Sequence, residues 1–542
     1  MVARRMFLRL IGLGGGSLLV AACTAPAPSV PVATAPPPAS SAAGQPTSVT
    51  SAAAPAPAGG TPQPKPGGTL RAVKTGDIAP IDPHYHSPGN GLGAWIIYDT
   101  LTGYDDNLKP IPILAESWEQ SADQRTMTLF LRKGVTFHTG RDLTADDIIY
   151  NLNRLSDPKA NTAGIIPGFV PPGTTWEAKD KYTVVIQAQQ PWVSIFDFML
   201  VFNIGDKVTL EGPDVKSTGV GTGPFTMAEW VPGDHVVYGK SKNYWQTGRP
   251  YLDSIYLAIA KDTTAQTVQF ESGAHDFSLN PPISDFIRLK SNTDYRAILL
   301  PNPAAFFIIQ PNPTIKPFDD KRARQALNHA VDRKRVVDTL LQGVGTAYDL
   351  PWPPGSPAYE PDKDFVFNHD LDKAKALFTE AGMIGTSFEM LANNTNAVYG
   401  PMLEILQNDL NSIGVTMNIT QMDIASMLGR MNAHQFQAYA AGDNWSNFEP
   451  ITPLSADASL NYRVNNADFH DETYSRLVST AAMEPDAAKR KQLYSQINDV
   501  LLDQSFDIII CSNIIRATTT NKVEGLGHRR NDFFTFTDAW LS

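Results

Sequence analysis

Cysteine is nearly absent from this 542-residue chain: Cys23 and Cys511 are the only two, which excludes a disulfide framework and a cysteine-built zinc site. Long apolar runs are missing as well. No stretch of 18 or more apolar residues occurs, so the bulk of the chain is expected to be soluble. Positive charge is in short supply, with 44 Lys and Arg against 55 Asp and Glu and a formal charge of −11. That sign argues against nucleic acid or a polybasic membrane surface as partners. Apolar residues at 42% and aromatics at 9% exclude wholesale disorder, and the length excludes a single core, since cores stop growing near about 250–300 residues.

The N-terminus reads as an address. Arg4, Arg5 and Arg9 form a positive segment ahead of Leu10 to Ala22, an apolar stretch diluted by Gly12, Gly14, Gly15 and Gly16. As a helix it spans only about 20 Å, too short for a stable anchor. Arg4-Arg5-Met6-Phe7-Leu8-Arg9 resembles a twin-arginine export signal, with Ala3 where Ser or Thr is usual; a general secretory signal is the alternative. Val20-Ala21-Ala22-Cys23 resembles a bacterial lipobox, which implies cleavage after Ala22 and a diacylglyceryl group on Cys23. Loss of residues 1–22 removes three arginines and no acid, taking the charge from −11 to −14. Residues 24–66 hold 12 prolines, no aromatic, no acid, one basic residue and three valines as their only large aliphatics. Such a segment cannot bury enough apolar surface to offset its ordering entropy. Residues 23–66 are therefore expected to be a disordered tether with a reach of roughly 35–40 Å.

From Gly67 onward helix and strand patterns alternate. Lys181 to Ala188 places Tyr182, Val184 and Ile186 on one face and reads as a strand, as does Val415 to Thr420. Leu371, Ala374, Leu377, Phe378 and Ala381 make a helical stripe, with Asp370 as N-cap and Gly382 just past its end. Met402, Leu403, Ile405, Leu406 and Leu410 make another, ended by Gly414, and Pro485-Asp486 opens a last long helix. Thr144 and Asp332 read as further N-caps, and acids at Asp146 and Asp147 suit a helix N-terminus. The order helix, helix, strand in 370–420 points to an α/β layer architecture.

Seven stretches then resemble, in order, the family 5 extracellular solute-binding proteins of ABC importers, whose members take up peptides, dipeptides, nickel and sometimes sugars. They are Gly67 to Leu70; Leu114-Ala-Glu-Ser-Trp118; Leu131 to Gly140 with Leu143 to Asp147; Gly221-Thr-Gly-Pro-Phe225; Asn243-Tyr-Trp245; Arg324 to Arg333; and Lys373 to Leu377 with Glu380-Ala-Gly382. The resemblance implies a periplasmic-binding-protein-like fold of type II, with two lobes, a hinge and an extra subdomain. Its chain order implies domain I at 67–100, 220–303 and 518–542, domain II at 101–219 and domain III at 304–517. Gly219 to Gly223 and the Pro301-Asn-Pro303 turn fall where the chain crosses between lobes, as a hinge requires. It also implies a monomeric, extracytoplasmic receptor whose partners are a small-molecule or peptide ligand, an ABC permease with its ATPase, and the membrane through lipidated Cys23.

No catalytic constellation holds together, so neither an enzyme nor a cofactor is expected. Ser156 and Lys159 have S-x-x-K spacing, but Pro158 breaks the helix that would join them. Gly233 to Ser241 imitates a phosphate loop with one residue too many, and Val236, Val237 and Tyr238 make it a strand. His84 and His86 face one side of an extended segment and are candidate ligand contacts; a metal would need further ligands, and none is assigned. The informative loop is Ala441 to Pro450, which resembles the family stretch facing the cleft. There, peptide-binding members pair an Asp with the ligand's amino terminus. In this chain that position falls on Ser446, or on Asn447 with one gap, while Asp443 lies three residues earlier. Asp443, Asn444, Trp445, Ser446, Asn447 and Phe448 are the candidate ligand residues, with Trp445 and Phe448 as stacking platforms. Trp95 and Trp352 either line the same cleft or belong to the core. An uncompensated ligand ammonium is costly to bury, so an oligosaccharide, another polar solute or nickel stands as the alternative cargo. An enzyme or signalling receptor on the same fold is the alternative of another class.

Overall fold

Thr126–Leu131 alternates Met127, Leu129 and Leu131 inward, and Thr183–Gln187 pairs with it antiparallel, turning Val184 and Ile186 to the same buried side. Ala115–Gln120 and Thr175–Asp180 complete a four-stranded antiparallel sheet. Its apolar face packs on helix Ala145–Leu155 through Ile148, Leu152 and Leu155. That helix starts where expected: the Asp147 carboxylate accepts from the Thr144 N–H at 2.9 Å. Tyr182 sits just outside the strand that its alternation suggested. The computed structural model describes residues 63–542 apart from 79, 86–91, 158–168, 213, 215–216, 302–304, 395, 445–447 and 530–532. The leader, Cys23 and the tether up to residue 62 lie outside the described residues, as do Lys159, Asn302 and Pro303.

A second body is built on a five-stranded sheet in the order Thr416–Met422, Ser387–Asn393, Ala438–Asp443, Ala305–Pro311, Ile508–Asn513. The first three strands are parallel to one another, and the last two pair antiparallel. Helices Leu371–Glu380 and Tyr399–Ser412 cover it with Ala374, Phe378, Met402, Leu403, Leu406 and Leu410. Asp370 caps the first by accepting from the Lys373 N–H at 2.9 Å. Gly382 follows at φ +69°, a left-handed turn that costs glycine nothing. Helices Glu472–Met483 and Ala487–Gln504 form a satellite core with Leu350 and Trp352, and Asp486 caps the long one. Asp332 caps only one turn, Arg333–Arg335, before the helix widens into the π-helical Val336–Leu340.

The third sheet has seven strands, in the order Tyr295–Leu299, Arg516–Thr520, Phe277–Leu279, Thr69–Thr75, Ser254–Ala260, His235–Lys240, Phe225–Val231. Thr69–Thr75 is parallel to both of its neighbours and the other pairings are antiparallel. The phosphate-loop imitation is thus the strand His235–Lys240. The sheet gathers strands from three separate stretches of the chain, and the four-stranded sheet lies wholly between the first two. Where the chain returns from that insertion, Gly221 and Gly223 lie against the backbone of Ile97 and Tyr98. A Cβ on Gly223 would meet the Ile97 carbonyl carbon and oxygen at 2.5 Å. These glycines are required by close approach of two backbones. The fold class is mixed α/β, and no helix among the described residues is long and apolar enough to cross a membrane.

Candidate functional site

The loop singled out in the sequence leaves the middle of the five-stranded sheet. Strand Ala438–Asp443 carries small residues because it is flanked on both sides, and a Cβ at Gly442 would come within 3.3 Å of the Phe306 carbonyl oxygen. Asp443, expected to face the cleft, is 1% exposed. Its side chain turns down to the Ser459 hydroxyl, which lies between Asp443 and Asp457. Asp457 also accepts from the N–H of Asn444 at 3.0 Å and of Ser459 at 2.9 Å. Asp507 completes a buried trio. Burial pushes all three carboxyls up, Asp443 well above the usual range, and each lies close enough to another to resist a second ionisation. Asp443 therefore presents no free charge at the surface. Asn444 is half-buried, and Trp445, Ser446 and Asn447 lie outside the described residues.

Phe448, expected as a stacking platform for a ligand, is fully buried in the core of the other body, among the cluster that contains Trp192 and Phe198. The residues after it are tied down by polar contacts. Asp197, on the apolar helix Ile195–Val201 of the four-stranded body, is 0% exposed. Its carboxylate accepts from the Tyr104 hydroxyl at 2.8 Å, from the Glu449 N–H at 3.0 Å and from the Thr452 hydroxyl. Burial drives Asp197 up to about 7 against the pull of these donors. Glu449 is braced from its own side by Arg490 at 3.2 Å and the Tyr494 hydroxyl at 2.7 Å. Cavities open on both flanks of this contact. One is lined by Trp192 and Ser194 facing Thr452, Ser455 and Tyr462; the other is lined by Tyr104 and Leu108 facing Glu449, Arg490 and Tyr494.

His84, expected to contact a ligand, is a core residue. It is 0% exposed, stacked on Phe202 at 5.6 Å. Arg154 is held by Asp82 at 2.6 Å and donates to His84 Nδ1 at 2.9 Å. Burial first, and then the neighbouring guanidinium, bring His84 down to about 3, so it is a neutral core imidazole and does not face a ligand. His86 lies outside the described residues. No group of three or more His, Cys, Asp or Glu able to hold a metal ion occurs among the described residues. Trp352 is a core residue, donating to the Asn498 side-chain oxygen at 2.7 Å. Trp95 is buried too, stacked on Phe533 at 5.3 Å with the Arg529 guanidinium 5.4 Å from its ring.

The sequence reasoning missed Asp197. The signal was available, as the single acid in the otherwise apolar run Ile-Phe-Asp-Phe-Met-Leu-Val. It also missed Asp99, a 2% exposed acid that accepts from Trp245 Nε1 at 2.9 Å and from Thr222 at 3.2 Å, with Arg529 at 3.8 Å.

The family model for bacterial extracellular solute-binding proteins, family 5 Middle, matches residues 109–461. Among characterised proteins the chain is 28% identical over 463 residues to heme-binding protein A of Haemophilus influenzae, covering 79% of this chain and 84% of that one. It is also 28% identical over 466 residues to di/tripeptide-binding protein 1 of Pseudomonas aeruginosa, covering 79% and 86%. Among solved structures, the periplasmic binding protein DppA from Helicobacter pylori in complex with the peptide STSA superposes with a TM-score of 0.77 at 21% identity, covering 88% of this chain and 98% of that one.

Proposed function

The chain belongs to the bacterial extracellular solute-binding proteins of family 5, and on that premise we propose that it is an exported receptor that captures a peptide between its bodies and hands it to an ABC permease. The observation that carries this reading is the docking of Phe448 to Thr452 from the five-stranded body onto the four-stranded body. Two separately cored bodies that meet at this segment are what capture by closure needs, and closure is driven by the difference in ligand affinity between the open and closed forms. Peptide is the class named for a relative of similar length and for a structural neighbour. The leader supports export, and the lipobox-like Val20 to Cys23 supports a lipid anchor, with the proline-rich segment as its leash. Metabolic labelling of Cys23 with a clickable fatty acid reads the anchor directly.

The peptide's amine is recognised here without the carboxylate that the resemblance implies. Ser446 and Asn447 carry no charge, and Asp443 is buried beneath the loop. N-acetylated trialanine is therefore expected to bind as well as free trialanine. The test is a thermal-shift titration with both peptides, alongside heme, nickel and maltotriose. A peptide at a hundred times its dissociation constant raises stability by about 2.7 kcal/mol. A shift from heme, nickel or the sugar with none from either peptide would replace the peptide reading. A shift confined to the free amine would restore a charged anchor.

A further inference from the structure

We propose that Asp197 is a positioning residue that latches the segment Phe448 to Thr452 across the two bodies and so holds the receptor closed around its solute. The inference rests on the capture reading above and adds to it the group that fixes the closed register.

Asp197 sits on the apolar helix Ile195–Val201. A carboxylate on a helix whose other residues are apolar or aromatic is costly to bury, and it is tolerated only where donors meet it. It has three, and just one of them, Tyr104, belongs to its own body. The others are the Glu449 N–H and the Thr452 hydroxyl, so the carboxylate is fully satisfied away from water only when the two bodies are docked. Phe448 supplies the apolar half of the contact, filling the cluster around Trp192 and Phe198. Apolar burial is non-directional. The two cross-body hydrogen bonds accept a single register, because a slip of one residue takes both donors off the carboxylate. The segment is rigid from behind, since the Glu449 side chain is held by Arg490 and Tyr494 within its own body. Pulling the bodies apart must therefore break the Asp197 bonds; it cannot be absorbed by bending the segment.

The test is hydrogen exchange across residues 448–454 of the full-length protein without added solute, comparing wild type with T452V, T452S and D197N. Wild type is expected to protect this segment, and T452V and D197N to exchange about tenfold faster there, with the segment around the buried strand Ile508–Asn513 unchanged. T452S keeps the hydroxyl and is expected to restore protection, which a purely steric role for Thr452 would not. Equal exchange in wild type and T452V, or T452S as fast as T452V, overturns the latch. Should D197N fail to fold, the Thr452 pair carries the test alone. Trialanine binding to wild type is measured in parallel: its absence counts against the peptide reading, while the exchange result still decides the latch.

Discussion

Asp507 sits with Asp443 and Asp457 in a buried acid cluster, where the raised Asp443 carboxyl keeps its proton and shares it with Asp507 in a carboxyl–carboxylate hydrogen bond. Tyr439 and Tyr474 feel the same field and are pushed well up by burial and by these acids. Burial raises the native carboxyls above the value of about 4 that an unfolded aspartate has, so the native state keeps their protons to higher pH than the unfolded chain does. The stabilisation is complete below that unfolded value and is lost as pH rises through the raised native values. Asn at position 507 cannot ionise, and its amide can replace the Asp507 carboxyl as the hydrogen-bond partner of Asp443. D507N is therefore expected to show a shallower fall in thermal midpoint from pH 4 to pH 8, and to be more stable than wild type at pH 8 by about 1–3 kcal/mol, the cost of an unsatisfied buried polar group. Differential scanning fluorimetry across that range checks it; a slope as steep as wild type would show that the trio does not control it.

Between elements, the close approach at Gly223 leaves no room for a side chain. Its N–H donates to the Ile97 carbonyl at 2.9 Å, and a methyl group there would lie 2.5 Å from backbone atoms that have no rotamer to move into. G223A is expected to cost about 1–3 kcal/mol or more, as overpacking does. G239A in the same body is the control, because its new Cβ would find nothing nearer than the Thr226 hydroxyl at 3.7 Å. Chemical denaturation of the pair checks this, and equal midpoints would remove the argument. Features of this local kind were the ones readable in advance. Asp370, Asp486 and Thr144 mark helix starts because a cap and its helix are neighbours in the chain, and the alternation of Val184 and Ile186 names a buried face directly. The positions that failed depend on a partner far off in sequence. Alternation puts His84 and His86 on one side of an extended segment, but only Arg154 and Phe202, more than sixty residues away, decide that the side of His84 is the core. Phe448 reads as an aromatic in a loop, and only the other body shows that it is a core residue of that body. Asp332 was placed correctly as a cap, while the π-helical turn that follows has no marker in its residues.

At the scale of the whole molecule, the Asp197 contact makes closure proton-dependent. In the docked arrangement burial dominates and holds Asp197 up at about 7, the nearby Glu449 charge adding to the rise and the Thr452, Tyr104 and Glu449 backbone donors opposing it. The other charged and titratable groups at this contact, Arg490 and Tyr494, reach Asp197 only through the Glu449 carboxylate that they hold. Separation of the bodies returns the group to water and to a value near about 4. The closed form therefore binds the proton more tightly, and closing takes one up anywhere between those two values. The closed-to-open ratio is greatest at low pH, falls by up to about tenfold per pH unit across the window, and levels off above about 7. The expected outcome is an opening constant for residues 448–454, from hydrogen exchange corrected for the intrinsic pH dependence of amide exchange, that grows from pH 5 to pH 7 and then flattens. In D197N the same constant is expected to be independent of pH. A flat wild-type profile would mean that the carboxylate keeps its charge on docking, and an equal slope in D197N would move the proton to another group.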